Sequence, residues 1–420
     1  MTQDVADPRA TEQESGRRTS TFHSLRYRDF SLLVQGQLGA AGSMWMEQVA
    51  RPLLILALTD SALMVGLVTA TRMAPQLLLG IWAGVLADRM DKRRILLITK
   101  SITLASHFVT AVLILGGVIE PWMVFVTTFV GGASMAFDAP ARQSLIPRLV
   151  PPEAIANAIA LNMAAMNVMR VGGASLAGLI LVFLDLGDLY LIQSAIYVWV
   201  IFCTLRISVR TEIIDRPSTS MLAELIEGFQ AVRNDRIIFY ILLMSLVIFV
   251  LGFPYQSVFI PLIALDELEI GQSGAGLLIS VTGIGALVGS LSMARFGDSV
   301  RRRGLVMLGI ILVYSAGLLV FAQAQLIWIA VPALILTGGM QTAFMSLNSA
   351  YVLARTPQAL QGRVMSLFSL DRGLIPAGAA LGGFLAEALG PSEGLTIMAG
   401  ACIVCTLLIG LLVPSLRRIR

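Results

Sequence analysis

The fold class this sequence predicts is an all-α integral membrane protein: twelve transmembrane helices in two pseudo-symmetric six-helix bundles, with both termini cytoplasmic. Three observations predict it. Of the 420 residues, 56% are hydrophobic and only 13% charged, and the mean hydropathy is +0.82; a soluble protein carries about 25% charged residues, so most of this surface must face lipid. The turns between apolar runs sort by charge, acidic on one side and basic on the other. Finally, a six-span unit occurs twice in the same orientation.

Residues 1–22 form a polar stretch rich in Ser, Thr, Glu and Arg, expected to be a disordered cytoplasmic tail without a secretory signal. Arg26, Arg28 and Asp29 then lead into the membrane. With about 20 apolar residues per crossing as the ruler, the spans fall at 30–58, 62–87, 94–116, 121–142, 154–182 and 188–207 in the first half. In the second they fall at 237–263, 273–296, 304–323, 327–352, 361–388 and 393–414. The expected units are a bundle over 23–210, a cytoplasmic linker over 211–236, a second bundle over 237–414 and a basic tail over 415–420. In the linker, Leu222, Leu225, Ile226, Phe229 and Val232 recur at helical spacing among Glu224, Glu227 and Arg233, which predicts an amphipathic helix on the membrane face.

The turns test that order. One set holds Asp60, Glu120, Asp185, Asp188, Asp266, Glu267, Glu269 and Glu393, with no Lys or Arg. The other holds Lys92, Arg93, Arg94, Arg148, Arg206, Arg210, Arg301, Arg302, Arg303, Arg355 and Arg363. The basic set marks the cytoplasmic face, and a span missed or added midway would destroy the sorting. The repeat is equally direct: with Pro152 set on Pro357, Gly173 meets Gly378, Leu176 meets Leu381 and Gly178 meets Gly383 without a gap, and Asp298 before Arg301–Arg303 echoes Asp88 before Lys92–Arg94.

Several function classes are excluded. The net charge of +4 sits in short turns rather than on one soluble face, which argues against nucleic acid. No G-x-x-x-x-G-K-[ST] phosphate loop is present, so ATP hydrolysis has no site. The two histidines, His23 and His107, lie far apart, and Cys402-x-x-Cys405 has no second ligand pair, so no metal, cofactor or enzymatic constellation is expected. His107 reads as a packed or interfacial histidine. A channel would need a continuous polar lining, and the polar groups here are few and paired.

Ionisable residues at membrane depth cost roughly 2.5 to 3.5 kcal/mol each, so each is a functional candidate. Glu47 and Arg51 lie one helical turn apart in span 1, before Pro52, and share a face. They form either a proton site that opens when Arg51 moves or a permanent structural pair. Arg72, halfway along span 2, needs a partner, and Glu47 is the expected one. Asp138 and Arg142 repeat the i,i+4 arrangement in span 4. Asn162 and Arg170 in span 5, Gln256 in span 7, and Asp371 with Arg372 in span 11 complete the expected substrate and proton pathway, with an interhelical hydrogen bond as the commoner alternative for Asn162. Met44, Trp45, Met46, Met163, Met166, Met169, Phe253, Tyr255 and Phe259 offer soft or aromatic surface for a bulky amphipathic substrate.

The stretch GVLADRMDKRR at 84–94 is the turn between spans 2 and 3. Gly84 admits a close backbone, and Asp88, one turn on, is placed to sit on the positive N-terminus of a neighbouring helix, worth about 0.3 to 1 kcal/mol. This stretch resembles the loop between helices 2 and 3 of major facilitator superfamily transporters. Together with Thr59-Asp60-Ser61, FDAPARQSLIPRLVPPEAIANAIALN at 137–162, and Arg170 before Gly172 and Gly173, it is similar to the branch containing enterobactin exporters and macrolide or other drug effluxers. The resemblance implies that Gly84, Asp88, Arg89, Lys92 and Arg93, with Asp138 and Arg142, form a cytoplasmic latch, Asp138 meeting Lys92 or Arg93. Asp91 departs from a loop position often held by Gly. Span 5 also lacks the Gly-Pro of the antiporter pattern.

The expected activity is secondary transport across the cell membrane: proton-coupled efflux of a small amphipathic drug or siderophore by a monomer with protons as coupling ion. An uptake symporter or uniporter of the same fold is the alternative.

Overall fold

A computed structural model describes residues 22–209, 235–296, 302–356 and 372–414. The described residues are helical, with no strand among them. In chain order they form α1 (Arg28–Thr59), α2 (Ala62–Arg89), α3 (Lys92–Leu115), α4 (Pro121–Leu149), α5 (Ile155–Phe183) and α6 (Leu186–Arg206). After the linker come α7 from Arg236, α8 (Gly271–Phe296), α9 (Arg303–Ala322), α10 (Ile327–Arg355), α11 (Ile375–Leu389) and α12 (Pro391–Leu412). Ten helices among the described residues are long and apolar enough to cross a membrane. α1 is not one of these ten, and the described part of α11 is a shorter apolar helix. Residues 1–21 of the expected tail at 1–22, Arg210, the linker helix, Asp298, Arg301, Arg363, Asp371 and residues 415–420 lie outside the described residues.

Helix ends follow the turn chemistry. Ser61 accepts from Met64 N at the start of α2, Asp91 accepts from Arg93 N at the start of α3, and Asp185 with Asp188 forms a capping box on α6. Asp60 ends α1 in the left-handed region at φ 48°. α4 runs seven residues past its expected end at 142, with Arg142 bonded to Asn162 inside the bundle. α7 departs from regular α-helix over its second half. It begins as an α-helix at Arg236–Val247 and continues through π-helical turns at Ile248–Gly252, Tyr255–Phe259 and Ile263–Glu267, where Gly252, Pro254 and Pro261 interrupt the ordinary ladder.

The two sequence halves meet through α2 on α11 and α5 on α8. At both crossings glycine lets the backbones touch. A Cβ on Gly383 would lie 2.7 Å from Ala62 O and 2.9 Å from Gly66 Cα, and one on Gly276 would lie 2.6 Å from Gly178 Cα. The crossings are related by the repeat: Gly178 aligns with Gly383, and setting Asp88 on Asp298 places Gly66 on Gly276. Glu387 of α11 adds a polar tie, accepting from Ser61 Oγ at 3.1 Å and Leu63 N at 3.2 Å, a carboxylate on the positive end of α2.

The cores follow from these contacts. One apolar core spans both halves at the end carrying the acidic turns, joining Leu53, Val65 and Ala177 with Tyr255, Leu278 and Ala379. At the basic end each half has its own core, Phe30, Ile95 and Leu145 in the first and Ile241, Met307 and Tyr351 in the second. Large apolar side chains such as Trp82, Trp122, Trp199 and Trp328 remain exposed around the outside, as a lipid-facing surface requires.

Gly66→Ala and Gly276→Ala should each destabilise the purified chain by about 1 to 3 kcal/mol through overpacking, read as a lower thermal midpoint. Gly80→Ala, with nothing near its Cβ position, should leave the midpoint unchanged or raise it.

Candidate functional site

Three neighbouring helices of the first half converge on Glu47. Its Oε1 pairs with Arg51 Nη2 one turn along α1, and its Oε2 accepts from Arg72 Nη1 of α2 at 2.5 Å. His107 of α3 brings Nε2 to 3.7 Å from Glu47 Oε1. All four side chains are buried. The expected triad of Glu47, Arg51 and Arg72 is thus brought together, and His107 joins it, which the reading of His107 as merely packed did not foresee. Its ring is held edge-on between Tyr190 and Tyr197, at centroid distances of 5.9 and 5.3 Å.

A second charged cluster lies nearer the basic end. Asp138 Oδ1 pairs with Lys100 Nζ at 2.6 Å, and Oδ2 lies 3.5 Å from Arg142 Nε. Arg142 Nη1 donates to Asn162 Oδ1 at 3.3 Å, so Asn162 serves an interhelical bond. Where the resemblance set Asp138 against Lys92 or Arg93, the described partners are Lys100 and Arg142, because Lys100 sits two turns inside α3. Arg93 instead donates to the carbonyls of Thr204 and Leu205 in the last turn of α6. One cavity of about 80 Å³ is lined by both clusters, with Glu47, Arg72, Lys100, Asp138 and Arg142 on its wall beside Gln37, Ser134 and Tyr197. That is room for several waters, so the clusters share one polar interior.

Arg170 of α5 stands apart, where the halves meet. Its Nη2 donates to Gln341 Oε1 of α10 at 3.2 Å, and its guanidinium lies 5.3 Å from the centroid of Trp45. Gln256 was expected to face a substrate, yet it is buried and donates to Thr282 Oγ1 at 3.2 Å, tying α7 to α8. Asn348 likewise donates to Ser245 Oγ at 2.6 Å. Asp371 lies outside the described residues, as do the side chains of Arg372 and of the latch residues Gly84, Asp88 and Arg89; Lys92 is buried. No group of three or more His, Cys, Asp or Glu among the described residues is arranged to hold a metal.

The residues missed by sequence reasoning are His107, Lys100 and Glu387. Lys100, Thr103 and His107 recur at helical spacing on apolar α3, and that polar stripe was the available signal. Glu387 gave none, since its partner is the N-terminus of a helix more than 300 positions away in sequence.

Glu47 balances two guanidiniums, so the two single removals differ in kind. Glu47→Gln leaves two arginines facing each other and should destabilise by about 3 to 5 kcal/mol, whereas Arg72→Met leaves the Glu47–Arg51 pair intact and should cost less. Thermal unfolding of the purified variants checks the order.

Comparison with known proteins agrees with this geometry. The profile described as transmembrane secretion effector matches residues 19–419. The staphyloferrin A transporter of Staphylococcus aureus (strain NCTC 8325 / PS 47) is 26% identical over 374 residues, covering 86% of this chain and 90% of that protein. Macrolide efflux protein A of Streptococcus pyogenes is 25% identical over 380 residues, covering 86% and 89%. Among solved structures, the nucleoside transporter NupG superposes with a TM-score of 0.73 at 14% identity, covering 91% of this chain and 98% of that one, a likeness of fold. A helical bundle that buries charged clusters between lipid-facing walls, matched along nearly its whole length, places this chain in the transmembrane secretion effector family of major facilitator superfamily transporters, proteins of the plasma membrane that move small molecules.

Proposed function

We propose that the chain is a proton-coupled exporter that moves a small amphipathic molecule, a drug or a siderophore, by alternating access of two six-helix bundles over 23–210 and 237–414. The observation that carries this reading is Glu47 buried among Arg51, Arg72 and His107. A carboxylate so bracketed accepts a proton only when the guanidiniums withdraw, which ties proton uptake to the arrangement of α1, α2 and α3. The shared polar cavity gives the proton a route between Glu47 and Asp138. Exchange with substrate follows when a conformational change alters that pairing.

Direction and sidedness rest on further support. Relatives named macrolide efflux protein A and multidrug efflux pump Tap favour efflux over uptake. The sorting of acidic and basic turns favours twelve crossings with both termini inside. On that sidedness, a core shared at the outer end and divided at the inner end describes a carrier open to the cytoplasm. The carrier works as a monomer, since each chain supplies both halves of the pathway.

Counterflow in inverted vesicles should accelerate when a pH gradient is imposed, and Glu47→Gln should abolish the acceleration; transport and pH dependence both unchanged in Glu47→Gln would exclude the proton role. Cysteines introduced at Asp60 and Glu393 should label from outside the cell, and those at Arg94 and Arg355 only after permeabilisation.

A further inference from the structure

Arg170 is a cation without a carboxylate: no ion pair among the described residues includes it. Its surroundings also offer donors with nothing to donate to. Arg170 Nε, Trp45 Nε1 and Gln341 Nε2 are buried without a hydrogen-bond partner, although Arg170 and Gln341 bond each other and Trp45 stacks on the guanidinium. Tyr255 and Tyr314 stand near enough to act on Arg170 electrostatically. Buried donors without acceptors are costly, and here one uncompensated guanidinium, its own Nε unpartnered, has two more such donors beside it. The place is equally particular. On α5, Arg170 lies between Ala177 of the shared core and Ala165 of the first half's own core. On α10, Gln341 lies between Leu334 of the shared core and Ala343 of the second half's core. The cluster therefore sits where the two halves part, with Met163 and Asn167 of α5 exposed beyond it.

We propose that Arg170, Trp45 and Gln341 bind the carboxylate of a small organic anion whose apolar or aromatic body packs on Trp45. This deepens the transport reading, on which its biological use rests, by naming the substrate class. The other charges make the choice of sign. Glu47 faces two arginines, and Asp138 faces a lysine and an arginine, so each buried acid is already outnumbered and neither is free to receive a cationic drug. The choice of carboxylate over phosphate follows from charge balance. One guanidinium with neutral donors neutralises a monoanionic head, whereas a phosphate dianion would stay uncompensated in a site of low polarity. Arg170's planar fork and the amide of Gln341 supply donors to both carboxylate oxygens.

The test is direct binding to the full chain in nanodiscs at low salt, by calorimetry, with benzoate, salicylate and naphthalene-2-carboxylate as probes and tetraphenylphosphonium as the cationic comparison. At least one carboxylate should bind, and Arg170→Gln should weaken it by about tenfold or more, with Arg170→Lys intermediate. Trp45→Phe, which keeps the ring and removes its donor, should weaken binding by roughly threefold and serves if Arg170→Gln fails to fold. Arg355→Gln, at the far end of α10, should leave the affinity unchanged. The proposal is overturned if no carboxylate binds, if Arg170→Gln or Trp45→Phe binds it as the wild type does, or if tetraphenylphosphonium binds more tightly than every anion. Arg170-dependent binding without gradient-driven flux would uphold the site and overturn only the proton-driven transport reading, whereas gradient-driven flux confined to the cation would do the reverse.

Discussion

Backbone-to-backbone contact at two glycine crossings is the constraint on which the bundle depends. In lipid the helices gain little from burying apolar surface against each other, so close packing supplies most of the attraction. Gly66 against Gly383 and Gly178 against Gly276 let α2 meet α11 and α5 meet α8 without intervening side chains. Because the repeat relates one crossing to the other, the two joints are balanced about the centre. From them follow the common core at one end, the separate cores at the other, and the level at which Arg170 finds itself between the halves.

Charge is then arranged around that frame with economy. Each buried carboxylate is held by two cations from different helices or turns, so the clusters cross-link α1 to α2 and α3 to α4 as well as neutralising themselves. Glu387 does at the acidic end what was expected of Asp88 at the basic end: it rests a carboxylate on the start of a helix from the other half. The same physics appears at the opposite pole of the molecule, where the halves are in contact.

Much of the fold was legible because lipid imposes a one-dimensional code, a length of apolar chain followed by a turn of defined charge. The ends of α2, α5 and α8 fall within a few residues of those the sequence marks. The code failed where a polar residue is satisfied inside the bundle. The sequence ends span 4 at 142, yet Arg142 is bonded to Asn162 within the bundle and the helix continues to Leu149. Of the site, Glu47 with Arg51 was legible from spacing and Arg72 from need. His107 was not, since which helices lie side by side is not written along the chain. The repeat held one more signal: the alignment that matches Asp88 to Asp298 also matches the glycines of the crossings, but only three dimensions give those glycines their partners.

The π-helical turns of α7 bear on how the second half can deform. Three five-residue π turns lie in a span that otherwise obeys the ordinary ladder, and each is a stacking fault, one residue wound in beyond what the α pitch accommodates. A rod with such faults yields as a metal does, by passing a dislocation along its length rather than by fracture. α7 can therefore change its length and twist beside α11 while nearly all of its peptide groups remain bonded.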